Sequence, residues 1–464
     1  MNFKAFKLSF LIALEICKRN KLYFIFGSIL IIFLVVAQYK FNLLLQKNSL
    51  RMGAVGTYQE HDIPQDVTRL TSKGLVMADA AGRIKPSLAE GWEVNNDATE
   101  FKFRLKKDLK WADGTAIKAY DLDISIPNTE FAVLDESTIQ FKLKEPYSPF
   151  PSLLTKALFK KDTLIGTGPY KISKIEKSKI FITKLTLTPL HQGLPTLFVR
   201  FYPNESVART GFNMGEVQVL LGLSNQNLGL NNPQVLLKKE TDYSKMVVIL
   251  YDTKDALLSN RSVRQALSFA APKIEGEELA DGPFPSQVWS YNPNAKKYLS
   301  NPVEAKLALN RAKAQVPEDK LKGELVLTAT PNLEAVAKKV EAEWKNLGFD
   351  VKLRIESGVS QNFQALLITQ GLPQDPDQYF LWHSSQERTN LSKYSPVCCP
   401  ASARVDKDLE DGRKLIKEED RKEKYLDFQR TLLEDAPATF LYFPKHNILY
   451  LKKVESLLNK VLTL

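Results

Sequence analysis

Between residues 100 and 115 the chain reads EFKFRLKKDLKWADGT, where Phe101, Phe103 and Leu105 alternate with polar residues ahead of Asp113-Gly114. A period of two closed by a turn pair predicts a half-buried strand. The pattern recurs in STIQFKL (137–143), KIFITKLTL (179–187) and TLFVRFY (196–202), so the first half is expected to be dominated by sheet. From about Met246 the pattern changes. MVVILYDT predicts a buried strand, and Asn260 is placed to cap a helix in RSVRQALSFAA, whose Val263, Leu267 and Ala270 share one face. ELVLTAT (324–330) is followed by a helical stripe of Val336, Val340, Trp344 and Leu347, a stop at Gly348, and strict alternation in FDVKLRI. Strand, helix, strand predicts parallel pairing through a right-handed crossover. Residues 406–435 predict a helix broken around Gly412 and the acidic stretch, and Pro437 precedes a last aromatic strand, TFLYF.

Residues 22–39 carry no charge, and as a helix they nearly span a hydrocarbon core. The first 47 residues hold seven Lys or Arg against Glu15, and five of the seven precede the apolar run. By the positive-inside rule residues 1–21 form a cytoplasmic basic leader, 22–39 a transmembrane helix, and everything after the linker at 40–52 lies outside the plasma membrane. Val35 and Ala37 also allow a cleaved signal peptide, for which the basic leader is long. No cysteine follows the apolar run to carry a lipid, which favours the helix as tether.

The 464 residues, 44% hydrophobic and 25% charged, suit two folded lobes rather than one small core. The net charge of +11 is concentrated at the N-terminus. The mixed run from Arg413 to Lys424 is interrupted by Glu418, Glu419, Asp420 and Glu423, so it is a solvated helix face and no nucleic-acid partner is expected. Of three cysteines, Cys17 is cytoplasmic in this reading, and the adjacent Cys398 and Cys399 are either a vicinal disulfide or two loop thiols.

Four histidines are present, and HExxH, CxxC, GxxxxGK[ST] and GxSxG are all absent. No catalytic residue, metal or cofactor is assigned, and the chain is not expected to be an enzyme; an extracytoplasmic hydrolase using carboxylates is the weakest alternative. Gly166-Thr167-Gly168-Pro169-Tyr170 reads as a turn whose two glycines can take positive φ before a strand. In GLPQDPDQYFLWHSSQ, Asp375, Asp377, Tyr379, Trp382 and His383 crowd together. They are either pocket-lining residues or turn caps beside ordinary core aromatics, and His383 alone is more often structural than a ligand.

Taken in order, GLV (74–76), IKPSLAEGWEV (84–94), FKFRLKKDLKWADGT, GTGPYKI, VRFYPNESVARTGFNMGEVQV, VRQALSFA (263–270), DPDQYFLWHSSQ and the closing helices before APATFLYF resemble the family 5 extracellular solute-binding proteins, the peptide-binding components of ABC importers. The resemblance implies an α/β, two-lobed periplasmic-binding-protein-like fold of the type II, peptide-binding class, after the single N-terminal transmembrane helix. It places lobe I at 53–245 plus 440–464 and lobe II at 246–439. It also implies a peptide ligand and ABC permease subunits as membrane partners; bilayer contact through residues 22–39 follows from the apolar run itself. The site residues it carries over are Val55, Gly56 and Thr57 in the first lobe and Asp375, Asp377, Tyr379 and Trp382 in the second, with His383 alongside. Two departures stand out. AYDLDISI is short where the family has a longer helical stretch, and Leu372 occupies the position of the carboxylate that holds a free amino terminus. A degenerate binding protein serving as membrane-tethered sensor, scaffold or adhesin is the alternative.

Overall fold

The computed structural model describes residues 48–223, 232–358 and 362–464. The expected transmembrane helix lies outside these residues. Among the described residues no helix is long and apolar enough to cross a membrane.

Ser49–Val55 sits inside a seven-stranded sheet, parallel to Thr196–Tyr202 on one side and to Val219–Leu223 on the other. Its order is Val235–Thr241, Lys445–Leu451, Val219–Leu223, Ser49–Val55, Thr196–Tyr202, Phe181–Pro189, Tyr170–Ser178. In SLRMGAV, Leu50 and Met52 turn to one face, where they pack with Leu185, Leu197 and Val199 and under Leu458 and Val461 of the helix Glu455–Leu462. Each such aliphatic burial contributes about 1.5–3 kcal/mol.

A separate antiparallel sheet, ordered Ala89–Val94, Glu100–Leu105, Thr138–Leu143, Thr129–Val133, closes over its own aromatic core of Phe101, Phe103, Phe141 and Phe150. The alternation in EFKFRL is the reason: its three apolar side chains all reach that core. The turn at Asp113-Gly114 forms, with Gly114 at φ +87°. AYDLDISI makes a single 3-10 turn, Ala119–Asp121.

The six-stranded sheet runs Glu278–Leu279, Ala438–Phe443, Lys245–Tyr251, Ala365–Gly371, Glu324–Ala329, Asp350–Ile355. Lys245–Tyr251 is buried along all but its first residue, as a continuous apolar run in a central strand must be. The helices Arg261–Ala270, Pro302–Lys313 and Glu334–Leu347 contribute to one core cluster, Ser402–Lys414 and Glu418–Asp435 to the other. Asn260 caps the first of them, accepting from Val263 N at 3.2 Å. Glu324–Ala329 pairs in parallel with Asp350–Ile355, as the period change predicted, and Gly348 ends the intervening helix at φ +107°.

The chain passes from the seven-stranded to the six-stranded sheet at residues 242–244 and returns at Pro444. Asp242 N donates to Pro444 O at 2.8 Å, so the two passages are hydrogen-bonded side by side. Three expectations are corrected. The return lies at Pro444 rather than near residue 440, because Ala438–Phe443 pairs with Lys245–Tyr251. The helix break falls at 415–417, and Gly412 lies inside the first helix, where the space for a Cβ is closed by the Tyr425 ring at 3.0 Å. Gly166 and Gly168 do not use positive φ; they are needed for close approach, since a Cβ would lie 2.1 Å from Thr71 O and 2.4 Å from Leu70 O respectively.

Candidate functional site

The sequence DPDQYFLW folds as an acidic turn feeding the short helix Tyr379–Trp382. Asp375 Oδ1 accepts from Asp377 N at 3.0 Å, and Asp377 Oδ1 accepts from Tyr379 N at 3.1 Å. The carboxylates therefore fix the turn through side-chain-to-backbone bonds, as short acidic residues do. Both are 6% exposed, and each faces an arginine from the closing helix pair. Arg421 Nη1 donates to Asp375 Oδ2 at 3.1 Å while its Nη2 reaches Oδ1 and, at 3.0 Å, Tyr425 Oη. Arg413 Nε lies 3.2 Å from Asp377 Oδ2, an ion pair by distance whose N–H is not aligned on the oxygen.

Burial pushes the Asp377 carboxyl up to about 6, Arg413 opposes the shift, and the Asp375 charge adds to it. The Arg413 guanidinium is sandwiched between the rings of Tyr379 at 4.2 Å and Tyr147 at 4.8 Å. Tyr147 belongs to the loop after the four-stranded sheet, so this cation–π stack bridges two bodies, one built by the chain up to residue 241 and after Pro444, the other by residues 245–443. Burial, then the Asp377 and Asp375 charges, raise the Tyr147 hydroxyl well above its ordinary range. Tyr379 also stacks on His383 at 4.0 Å between centroids. His383 Nδ1 meets Ser385 Oγ at 2.8 Å and its Nε2 meets Glu410 Oε1 at 3.2 Å.

Behind this cluster a solvent-open cavity of about 160 Å³ is walled by both bodies. Trp92, Phe101 and Arg83 line it from the first, Trp289, Asp375 and Arg421 from the second. Arg83 Nε reaches Glu418 Oε1 at 2.9 Å across the mouth, and Trp289 N donates to Ala81 O at 3.0 Å. Ser148 N donates to Arg413 O at 2.7 Å.

The structure thus gathers Asp375, Asp377, Tyr379 and His383 in one cluster. It places Trp382 elsewhere. At 4% exposed, Trp382 packs edge-on to Phe440 within the second lobe's core and donates from Nε1 to Gln378 Oε1 at 2.8 Å. Leu372 is half-buried beside the crossings, its N–H donating to Ser244 O at 2.8 Å. Val55, Gly56 and Thr57 end the strand Ser49–Val55 on the other sheet, and among the described residues no hydrogen bond, ion pair or ring contact joins them to the acidic cluster. Gly56 takes φ +135° and donates to Tyr202 O at 2.7 Å. Tyr58 folds back over it and donates its hydroxyl to Val55 O at 3.0 Å.

Arg413, Arg421, Arg83, Trp92 and Trp289 escaped sequence reasoning. The two arginines sit in a run of alternating charge that reads as solvated surface, and only their placement eight residues apart across the helix break sets both against the acidic turn. Trp92 lies inside GWEV, where an aromatic in a strand signals core first.

The sequence signature of the bacterial extracellular solute-binding proteins, family 5 Middle, matches residues 83–390. Among curated relatives, a probable D,D-dipeptide-binding periplasmic protein of Escherichia coli, DdpA, is 21% identical over 432 residues, covering 80% of this chain and 81% of that protein. Among solved structures, NikZ from Campylobacter jejuni in complex with Ni(L-His) superposes with a TM-score of 0.67 at 23% identity, covering 88% of this chain and 94% of that one. The periplasmic binding protein DppA from Helicobacter pylori, in complex with the peptide STSA, gives 0.62 at 20% identity, with 88% and 96% covered.

Proposed function

This chain belongs to the bacterial extracellular solute-binding proteins of family 5, and from that premise we propose that it captures peptides outside the cell and presents them to the permease of an ABC importer. The observation that carries this reading is the solvent-open cavity of about 160 Å³ walled jointly by two bodies between which the described chain crosses at two adjacent backbone passages, 242–244 and Pro444. Two rigid sheets on a short paired connection form a hinge, and closing it removes a ligand from water. Relatives that carry peptide or a nickel–histidine complex support solute capture rather than catalysis, and the choice of peptide rests on the dipeptide- and peptide-binding relatives.

In this reading 49–241 with the segment after Pro444 is lobe I, and 245–443 is lobe II. Val55, Gly56 and Thr57 offer main-chain groups to an extended peptide, and Tyr379 and His383 border its other side. Asp375 and Asp377 act indirectly, by fixing Arg421 and Arg413. With both carboxylates occupied and Leu372 half-buried, the ligand's amino terminus has no ionic anchor in the acidic turn, and affinity comes from backbone pairing and aromatic packing. The apolar run at residues 22–39 tethers the protein to the bilayer.

A second reading, a membrane-tethered scaffold, draws on the ties already made across the bodies by Arg83–Glu418 and by Arg413 between Tyr147 and Tyr379. Mass spectrometry of small molecules released by denaturing the purified chain separates the two. Peptides at near-stoichiometric yield support capture, and an empty protein that also binds none of a tryptic peptide mixture contradicts it.

A further inference from the structure

The loop that follows Tyr394 carries Cys398 and Cys399 beside Thr253, just past the end of the strand Lys245–Tyr251 that points away from the crossings. Seven strand residues put this place on the order of 20 Å from the hinge, well apart from the cavity. The two sulfurs lie 2.7 Å apart, Cys398 half-buried and Cys399 buried. Thr253 Oγ1 is 3.1 Å from Cys398 Sγ.

Arg264 supplies the second, independent observation. It is 1% exposed, and its guanidinium donates to the carbonyl oxygens of Leu258, Ser259, Asp435 and Ala436, with Nη2 3.7 Å from Cys399 Sγ. Among the described residues no carboxylate forms an ion pair with it. A buried cation with only neutral partners calls for an anion nearby, because an uncompensated buried charge is costly. The buried Asp435 carboxylate and the sulfur pair both lie beside it, and the guanidinium favours an anionic sulfur there as well.

We propose that Cys398 and Cys399 form a thiol–thiolate pair that exchanges with low-molecular-weight disulfides, Cys398 as the nucleophile and Cys399 as the resolving thiol. Cys398 thiolate attacks one sulfur of R–S–S–R; that bond breaks, the Cys398–S–R bond forms, and RS⁻ leaves. Cys399 then gives its proton to the departed thiolate or to water and attacks Cys398 Sγ, expelling the second RS⁻ and closing the Cys398–Cys399 disulfide. Two protein sulfurs are oxidised and one R–S–S–R is reduced to two thiols. Adjacent α-carbons lie about 3.8 Å apart, closer than the usual 4.4–6.8 Å across a disulfide, so external thiols reopen the product readily.

The hydrogen bond from Cys399 is the main influence holding the Cys398 thiol down at about 5, against burial and helped by Thr253 and Arg264; the same bond pushes Cys399 up. The charged groups facing the pair are Arg264 and Asp435, whose carboxylate accepts from Tyr394 Oη at 2.7 Å and lies 3.9 Å from Arg261; beyond Thr253 stands the pair Lys393–Asp252.

The test uses the full chain carrying Cys17→Ser, in detergent, with 4,4′-dithiodipyridine as the disulfide. The proposal expects two equivalents of thiopyridone, a mass loss of two hydrogens with no lasting adduct, and a rate nearly flat between pH 6 and 8. A rate that falls about tenfold per pH unit on going down from 8, as for an ordinary thiol, overturns it. Cys399→Ser is expected to stop at one equivalent with a stable adduct on Cys398. Cys398→Ser is expected to react at least tenfold more slowly at pH 6, and a wild-type rate in that variant also overturns the proposal. Thr253→Val, which leaves both sulfurs in place, is expected to slow the reaction at pH 6 while leaving it unchanged at pH 9; slowing at both pH values contradicts the role given to its hydroxyl.

Discussion

Arg421 grips Asp375 with both terminal nitrogens, and the two side chains are 8% and 6% exposed. The pair ties the helix Glu418–Asp435 to the acidic turn and forms one wall of the cavity. Replacing Arg421 by Met leaves a buried carboxylate unpaired and is expected to cost about 3–5 kcal/mol. Adding Asp375→Asn, which removes the buried charge and keeps an oxygen for Asp377 N, is expected to recover part of that loss. Urea denaturation of the two variants reads both numbers, and a single variant within about 1 kcal/mol of the parent contradicts the pairing.

Asp377 gives the second lobe a pH dependence of definite sign. Its folded carboxyl sits at about 6 against an ordinary value of 3.8. The folded chain therefore binds the proton more tightly than the unfolded chain, and the stability this contributes is complete below about pH 4 and lost as pH rises through 6. Two units amount to on the order of 3 kcal/mol. Asp377→Asn is expected to remove that slope, seen as the difference between the two denaturation series from pH 4 to 7. Parallel series would show that Asp377 does not titrate there.

Close approach at the GTGPY turn predicts a contrast between two glycines. Gly168→Ala sets a methyl 2.4 Å from Leu70 O and is expected to destabilise by about 2–4 kcal/mol. Gly91→Ala meets nothing within 4 Å and is expected to change stability by less than about 0.5 kcal/mol. Thermal unfolding of the pair decides it, with equal shifts as the contrary result.

Ligand recognition without an ionic amine anchor makes its own prediction. Acetylating the amino terminus of a bound peptide is expected to change its affinity less than about threefold, whereas Leu372→Asp introduces a preference for the free amine of about tenfold. Tyr58→Phe frees the Val55 carbonyl for the peptide backbone and is expected to tighten binding about fivefold. Calorimetric titration measures all three, and a strong loss on acetylation would mean that a carboxylate does meet the amine.

Most strands were legible because period-two alternation survives wherever one face is buried, as in EFKFRL and TLFVRFY. The parallel unit 324–355 was legible because its helix carries one apolar stripe between two strands and ends at a glycine. Sequence could not give the place of the return, since TFLYF suits either sheet and only its pairing with Lys245–Tyr251 decides. Nor could it separate Tyr379 from Trp382: three residues apart in one aromatic run, one stacks on Arg413 between the bodies and the other fills a core. The acidic turn was visible as a cluster, but its arginines were not, because ion pairs between distant segments leave no local pattern.

The central claim is that two bodies close over a solute about the paired passage at Asp242 and Pro444. Small-angle scattering of the purified chain, first stripped of ligand by partial unfolding and refolding and then mixed with a peptide it is shown to bind, tests it most directly. Closure gives a smaller radius of gyration on binding, with the two lobes otherwise unchanged. An identical scattering curve with the peptide demonstrably bound would contradict it.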